Sequence, residues 1–185
     1  MIAFYFTFLA VVFAGLGARD QALVAALSRH QGPRPGVLIV AGVLGLLSAA
    51  LAAWLALAVT PLLGPEARTF FAGLALLFAG GESLVLVPRR EPREPSHSLG
   101  ALAIILASQQ LTDAARFLVF GIAVATSAPL PAGGGGALGG LVAVGAAWAF
   151  PEWFTHPRVR LVRRLVGAGL ALVGAYVCLS AIGKL

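Results

Sequence analysis

GVLIVAGVLGLLSAALAAWLALAVT, residues 36–60, runs for 25 residues without a charge. As a helix rising ~1.5 Å per residue it exceeds the ~20 residues needed to cross ~30 Å of hydrocarbon. Five further apolar stretches surround it: 1–28, 69–87 (with Glu82 as its one charge), 98–126, 133–150 and 165–183. Over the whole chain 59% of residues are hydrophobic and 11% charged, and mean hydropathy is +0.95. Soluble domains carry about 25% charge, so the solvent of this chain is a bilayer. No polar stretch is long enough to enclose a soluble core. Strands alternating every ~10 residues, the mark of a membrane barrel, do not occur, so the spans are helices.

The first stretch has no basic residues ahead of its apolar run, so it is expected to stay as a span rather than be removed as a signal peptide. The single Cys178 excludes a disulfide within the chain and reads as a small buried hydrophobe. A net charge of +6 is explained by basic loops, and no nucleic-acid partner is expected. Those loops orient the chain. Arg29, Arg34, Arg89, Arg90, Arg93, Arg158, Arg160, Arg163 and Arg164 fall on one side, with Arg68 and Lys184 on the other. The bias puts the basic loops in the cytoplasm and both termini outside, in a multi-pass inner (plasma) membrane protein. Trp153 and Phe154 read as interfacial anchors, and His30, His97 and His156 as scattered loop residues.

VPRREPREPSHS, residues 87–98, divides the chain. Its prolines forbid a continuous helix, and its mixed charges make it a solvated linker. Three spans lie on each side. An odd number of spans makes the halves enter the membrane in opposite directions. The fold class is therefore all-α: a polytopic membrane protein of six transmembrane helices in a 3+3 inverted repeat. Residues 1–87 form the first repeat, 88–97 a cytoplasmic linker and 98–185 the second repeat. The glycine-rich PLPAGGGGALGG, residues 129–140, lacks the ending of a phosphate-binding loop and reads as a flexible connection into the fifth span.

Two polar clusters interrupt the apolar runs, one in the first span of each half: AGLGARDQ, 14–21, and QQLTDAAR, 109–116. Ionisable residues at such depth are functional-site candidates by default. On a continuous helix Gln109, Thr112, Asp113 and Arg116 form one polar stripe, with Gln110 turned toward a neighbouring helix. Gly17, Asp20 and Gln21 share a face, and Gly15 with Gly17 weakens the helix enough for a kink. Glu82 reads as meeting a cytoplasmic-side arginine or water rather than a substrate. No nucleophile–base pair, zinc spacing or cofactor fingerprint is present, so no enzyme activity and no resident cofactor are expected.

The first cluster resembles a family motif. AGLGARDQ aligns without gaps to the Ala-Glu-Leu-Gly-Asp-Lys-Thr-Gln form of Glu-x-Gly-Asp-Lys/Arg-Ser/Thr. That motif occurs twice in the calcium/manganese–proton antiporter family, related to the lysine-exporter superfamily, whose members have six spans in two inverted halves. The resemblance implies that the motif carboxylates face each other and bind the transported divalent cation. Gly15 and Ala18 stand at the acidic positions of the first motif, and Asp20 stands at the hydroxyl position. In the second motif Gln110 occupies the Glu position and Thr112 the Gly position. Asp113 matches, and Ala114 and Ala115 replace the basic and hydroxyl residues. Two intact motifs carry a net charge of −2, whereas Asp20 and Asp113 opposite Arg19 and Arg116 sum to zero.

Three functions follow. The first is Ca²⁺ or Mn²⁺ exchange against protons at a remodelled site of Asp113, Gln110, Gln109, Thr112, Asp20 and Gln21, with Asp113 and Asp20 as metal ligands and Arg19 and Arg116 setting the electrostatics. The second is transport of another solute, an anion received by Arg19 or Arg116. The third is a non-transporting structural or regulatory protein in which Arg19–Asp113 and Asp20–Arg116 are neutralising pairs. The partners are the lipid bilayer and a transported ion or small solute. Assembly of several copies is left open.

Overall fold

The computed structural model describes residues 1–86 and 98–183. The linker 88–97, with Arg89, Arg90, Arg93 and His97, lies outside the described residues, as does Lys184. Among the described residues every regular element is helical. The order is α1 (Ile2–Gly15), α2 (Arg19–Gln31), α3 (Pro35–Val59) with a 3-10 turn at Thr60–Leu62, and α4 (Pro65–Val85). Then follow α5 (Leu99–Leu111), α6 (Ala114–Thr126), α7 (Pro129–Ala149), the short α8 (Pro151–Phe154) and α9 (Pro157–Ala181).

Prolines at the first helical turn start α3, α4, α7 and α9, where the missing N–H has no intrahelical partner to lose. These four helices are long and apolar enough to cross a membrane. The pairs α1–α2 and α5–α6, bent by 59° and 45° at short breaks, raise the number to six if each pair is one span. The chain is thus a polytopic helical membrane protein. Its side chains are sorted accordingly. On α3 the inward face is Ala41, Gly42, Gly45, Ser48, Ala49, Ala52 and Ala56, while Ile39, Leu47 and Trp54 point outward, each about 60% exposed. Helices in lipid gain little from hiding large apolar groups, so small residues line the contacts where backbones meet.

Two contacts depend on this. At Gly80 of α4 a Cβ would stand 2.6 Å from the Gly167 carbonyl oxygen and the Ala171 nitrogen of α9. On the other side of the bundle Gly135 of α7 lies against the Phe4 carbonyl of α1, and a Cβ at Gly139 would be 2.8 Å from the Phe8 oxygen. The glycine-rich stretch 129–140 is therefore helix, not the flexible connection its composition suggests. Glycine disfavours helix by about 1 kcal/mol relative to alanine. In hydrocarbon, however, an unpaired backbone costs more, and the absent side chains let α7 approach α1.

The last span also differs from expectation. Its helix begins at Pro157 rather than near Leu165, because the His156 ring nitrogen accepts a hydrogen bond from the Arg158 amide at 3.2 Å and Pro157 follows at the first position. Arg158, Arg160, Arg163 and Arg164 are thereby helical, and Arg163 is buried. Cys178 is buried as expected, its thiol 3.7 Å from the Phe70 carbonyl. Trp153 lies 77% exposed at the end of the bundle where the basic residues collect.

Candidate functional site

The break between α1 and α2 centres on Gly17, whose φ of +73° is a left-handed conformation open to glycine. Its amide donates to Gln21 Oε1 at 2.8 Å, and its carbonyl accepts from Arg163 Nη1 at 2.6 Å. A Cβ at Gly17 would also meet Val159 Cγ1 at 2.7 Å. Gly17→Ala is therefore expected to cost at least about 1–2 kcal/mol, the usual penalty of an L-residue in this conformation. Thermal unfolding in detergent against wild type checks it, and an unchanged midpoint contradicts the left-handed turn.

The break between α5 and α6 falls at Thr112–Asp113, where Asp113 is the N-cap of α6 with an extended backbone (φ −87°, ψ 149°). The anticipated continuous stripe from Gln109 to Arg116 is thus cut in two. Thr112 and the Gln109 backbone carbonyl meet one polar group, Asp113 and Arg116 belong to another, and the Gln109 side-chain oxygen is buried without a partner. An N-cap aspartate ordinarily accepts from the first turn's amides, but the Asp113 carboxylate makes no such bond.

The group of Asp113 and Arg116 borders a small cavity of about 10 Å³, room for roughly one water. Asp20 and Gln21 reach it from α2, Asp113 and Arg116 from the second break, and small or apolar residues of α1 and α7 complete the wall. Asp20 accepts from the Gln21 amide at 2.7 Å and from Gln110 Nε2 at 3.2 Å. Gln110 crosses to the neighbouring helix as anticipated, donating also to the Ala41 carbonyl at 3.2 Å. Gln21 Nε2 donates to the Ala143 carbonyl of α7 at 2.8 Å. Arg116 donates through Nε to Ser48 Oγ at 2.7 Å, and that hydroxyl donates to the Gly45 carbonyl at 3.1 Å. All five side chains are at least about nine-tenths buried, yet Asp113 Oδ1, Gln110 Oε1 and Arg116 Nη1 have no hydrogen-bond partner.

The second group joins the breaks on another side. Glu82 of α4 receives both carboxylate bonds from Arg163 Nη2 at 2.7 Å and a third from Arg19 Nε at 3.1 Å. Arg19 continues to the end of α5, donating through Nη2 to Thr112 Oγ1 at 2.8 Å and to the carbonyls of Thr112 and Gln109 at 3.2 and 3.3 Å. A cation at a helix C-terminus meets both free carbonyls and the negative end of the dipole. Glu82 meets a basic-side arginine, as its position in α4 suggested.

The neutralising pairs Arg19–Asp113 and Asp20–Arg116 are not formed. Among the described residues the ion pairs within 4.0 Å are those of Glu82 with Arg19 and Arg163. With every group ionised, the cavity group of Asp20, Asp113 and Arg116 sums to −1 rather than zero, and the group of Glu82, Arg19 and Arg163 sums to +1. Arg163 and Ser48 were not singled out as site residues from the sequence. For Arg163 the signal was present, since His156-Pro157 marks a helix start that places it in the second turn. Among the described residues no three of His, Cys, Asp and Glu gather closely enough to hold a metal ion. A divalent ion bound here would need oxygens from Gln110, backbone and water besides two carboxylates.

A second cavity of about 290 Å³ lies between α3, α4 and α6, walled by Phe71, Phe78, Phe117 and Phe120 and reaching Ser48 and Arg116. The guanidinium therefore stands between a polar cavity and an apolar one. No family model matches the chain, and neither curated proteins nor solved structures match it.

Proposed function

We propose that the protein is a secondary transporter that exchanges a cation for protons at the cavity shared by Asp20 and Asp113. The observation that carries this reading is that two broken helices, α1–α2 and α5–α6, bring Asp20 and Asp113 to one small cavity, with Asp113 Oδ1 buried there without a partner. A carboxylate oxygen buried without a donor is strained as it stands and relieved by a cation or a proton. Broken helices at depth are where transporters place their ion sites, since the interruption frees backbone and side-chain ligands within the membrane. The order of bent pair, helix, helix on each side of residues 87–97 supports a 3+3 inverted repeat, and the distribution of arginines along the sequence supports cytoplasmic basic loops and outside termini. The motif resemblance nominates Ca²⁺ and Mn²⁺, whereas the formal −1 of Asp20, Asp113 and Arg116 matches a monovalent cation.

Purified protein in proteoliposomes, with dyes for Ca²⁺, Mn²⁺ and internal pH and with Na⁺ and K⁺ gradients in parallel, tests the proposal. Wild type is expected to move a cation with protons in the opposite direction. Asp113→Asn, which removes the charge and the titratable oxygen, is expected to fall to the level of protein-free vesicles while remaining folded. A stably folded wild type that is silent for every cation removes the proposal.

One observation favours a second reading. Arg116 has no carboxylate partner and an unused Nη1, so it can receive an anionic group instead. Anion-driven swelling or pH change, absent in Arg116→Gln and insensitive to cations, distinguishes that transport from cation exchange.

A further inference from the structure

We infer that Arg116 is the valence selector of the cation site: its fixed charge leaves the cavity with one net negative charge, so the transported ion is monovalent. This inference rests on the cation-exchange reading above. Three features of the structure carry it. Arg116 lines the same cavity as Asp20 and Asp113, and it is 6% exposed, so its charge is not screened by bulk water. It is held there without touching either carboxylate, because Ser48 Oγ anchors Nε at 2.7 Å and no carboxylate oxygen lies within 4.0 Å of its nitrogens.

The charge count follows. Guanidinium does not deprotonate in proteins, so Arg116 contributes +1 in every state of the cycle. With both aspartates ionised the cavity holds −1, which one monovalent cation or one proton neutralises. A divalent cation leaves +1 among buried side chains, and the neighbouring group of Glu82, Arg19 and Arg163 adds its own formal +1 against it. At interior dielectric a unit charge a few ångströms away changes ion affinity by well over ten-fold. The balanced cycle is one monovalent cation in for one proton out, with no net charge moved. Removing Arg116 makes the cavity −2, matched by one divalent cation or two protons.

The experiment measures cation-driven proton flux in proteoliposomes for Na⁺, K⁺, Ca²⁺ and Mn²⁺ in wild type, Arg116→Gln and Arg116→Lys. Wild type is expected to prefer a monovalent ion by at least about ten-fold, and Arg116→Gln to shift that ratio toward divalent ions by at least about ten-fold. Arg116→Lys, which keeps the charge, is expected to keep the monovalent preference. Should Arg116→Gln not fold, wild type and Arg116→Lys carry the test. Divalent preference in wild type overturns the inference, and so does a valence ratio that Arg116→Gln leaves unchanged, or a shift toward divalent ions in Arg116→Lys. No cation flux in folded wild type rejects the exchange reading itself and is thereby distinguished from these outcomes.

Discussion

Replacing Glu82 with glutamine lowers the stability of the folded protein by about 3–5 kcal/mol, the range found when one partner of a buried ion pair is removed. The reason is the geometry of its partners. Arg163 is 3% exposed and places Nη2 at 2.7 Å from both oxygens of Glu82, and its Nε already lacks an acceptor. Glutamine offers one oxygen and no charge, so a guanidinium is left in the bundle with one amide oxygen and the Gly17 carbonyl against it and no counter-charge. Arg19 loses less. It keeps the Thr112 hydroxyl and the carbonyls at the end of α5, and it is more exposed than Arg163. Adding Arg163→Met to Glu82→Gln is therefore expected to recover much of the loss, since no uncompensated buried charge then remains at Arg163. Thermal and chaotrope unfolding in a mild detergent measure both variants. A cost below about 1 kcal/mol for Glu82→Gln, the level of a surface pair, contradicts the buried network.

Gly135→Ala destabilises the protein by about 3 kcal/mol, at the upper end of overpacking costs, whereas Gly134→Ala one residue earlier is neutral or slightly stabilising. The two substitutions have the same chemistry and the same gain in helix propensity, so their difference isolates the contact. At Gly135 the new methyl falls on the Phe4 carbonyl, a backbone group that cannot move without shifting α1. At Gly134, an exposed position, the new methyl meets the Phe4 ring at 3.6 Å, ordinary van der Waals contact. The consequence extends to the cavity beside Asp20 and Asp113. Val11 and Gly15 of α1 and Gly140 and Ala143 of α7 form part of its wall, so separating the helices widens the space around Asp20 and Asp113. Size-exclusion profiles and unfolding midpoints of both variants make the comparison, and equal behaviour at the two positions contradicts the close α1–α7 approach.

Much of this architecture was legible beforehand because it depends on local chemistry. A 25-residue apolar run without a charge has few fates other than a membrane helix. Gly15 and Gly17 before two charged residues announce a weak point, and the helix does break there, with Gly17 in the left-handed region. The second break was not legible. QQLTDAAR contains no glycine or proline, and its stripe is consistent with an unbroken helix. It ends at Thr112 where Arg19, 93 residues earlier in the chain, satisfies the freed carbonyls of α5.

Partnership lies on the same divide. The sequence alone determined that charged residues sit inside the membrane in two clusters, because burial of ionisable groups follows from the length of the surrounding apolar runs. Only the tertiary structure decided which charges meet. Arg19 lies one residue from Asp20 and turns to Glu82, while Arg116 lies three residues from Asp113 and is anchored by Ser48 of α3. Each choice depends on the crossing of helices far apart in sequence, and a one-residue rotation of about 100° changes the face a side chain presents. The sequence therefore set the inventory of charges, and the helix packing divided them into a cavity of −1 beside a group of +1.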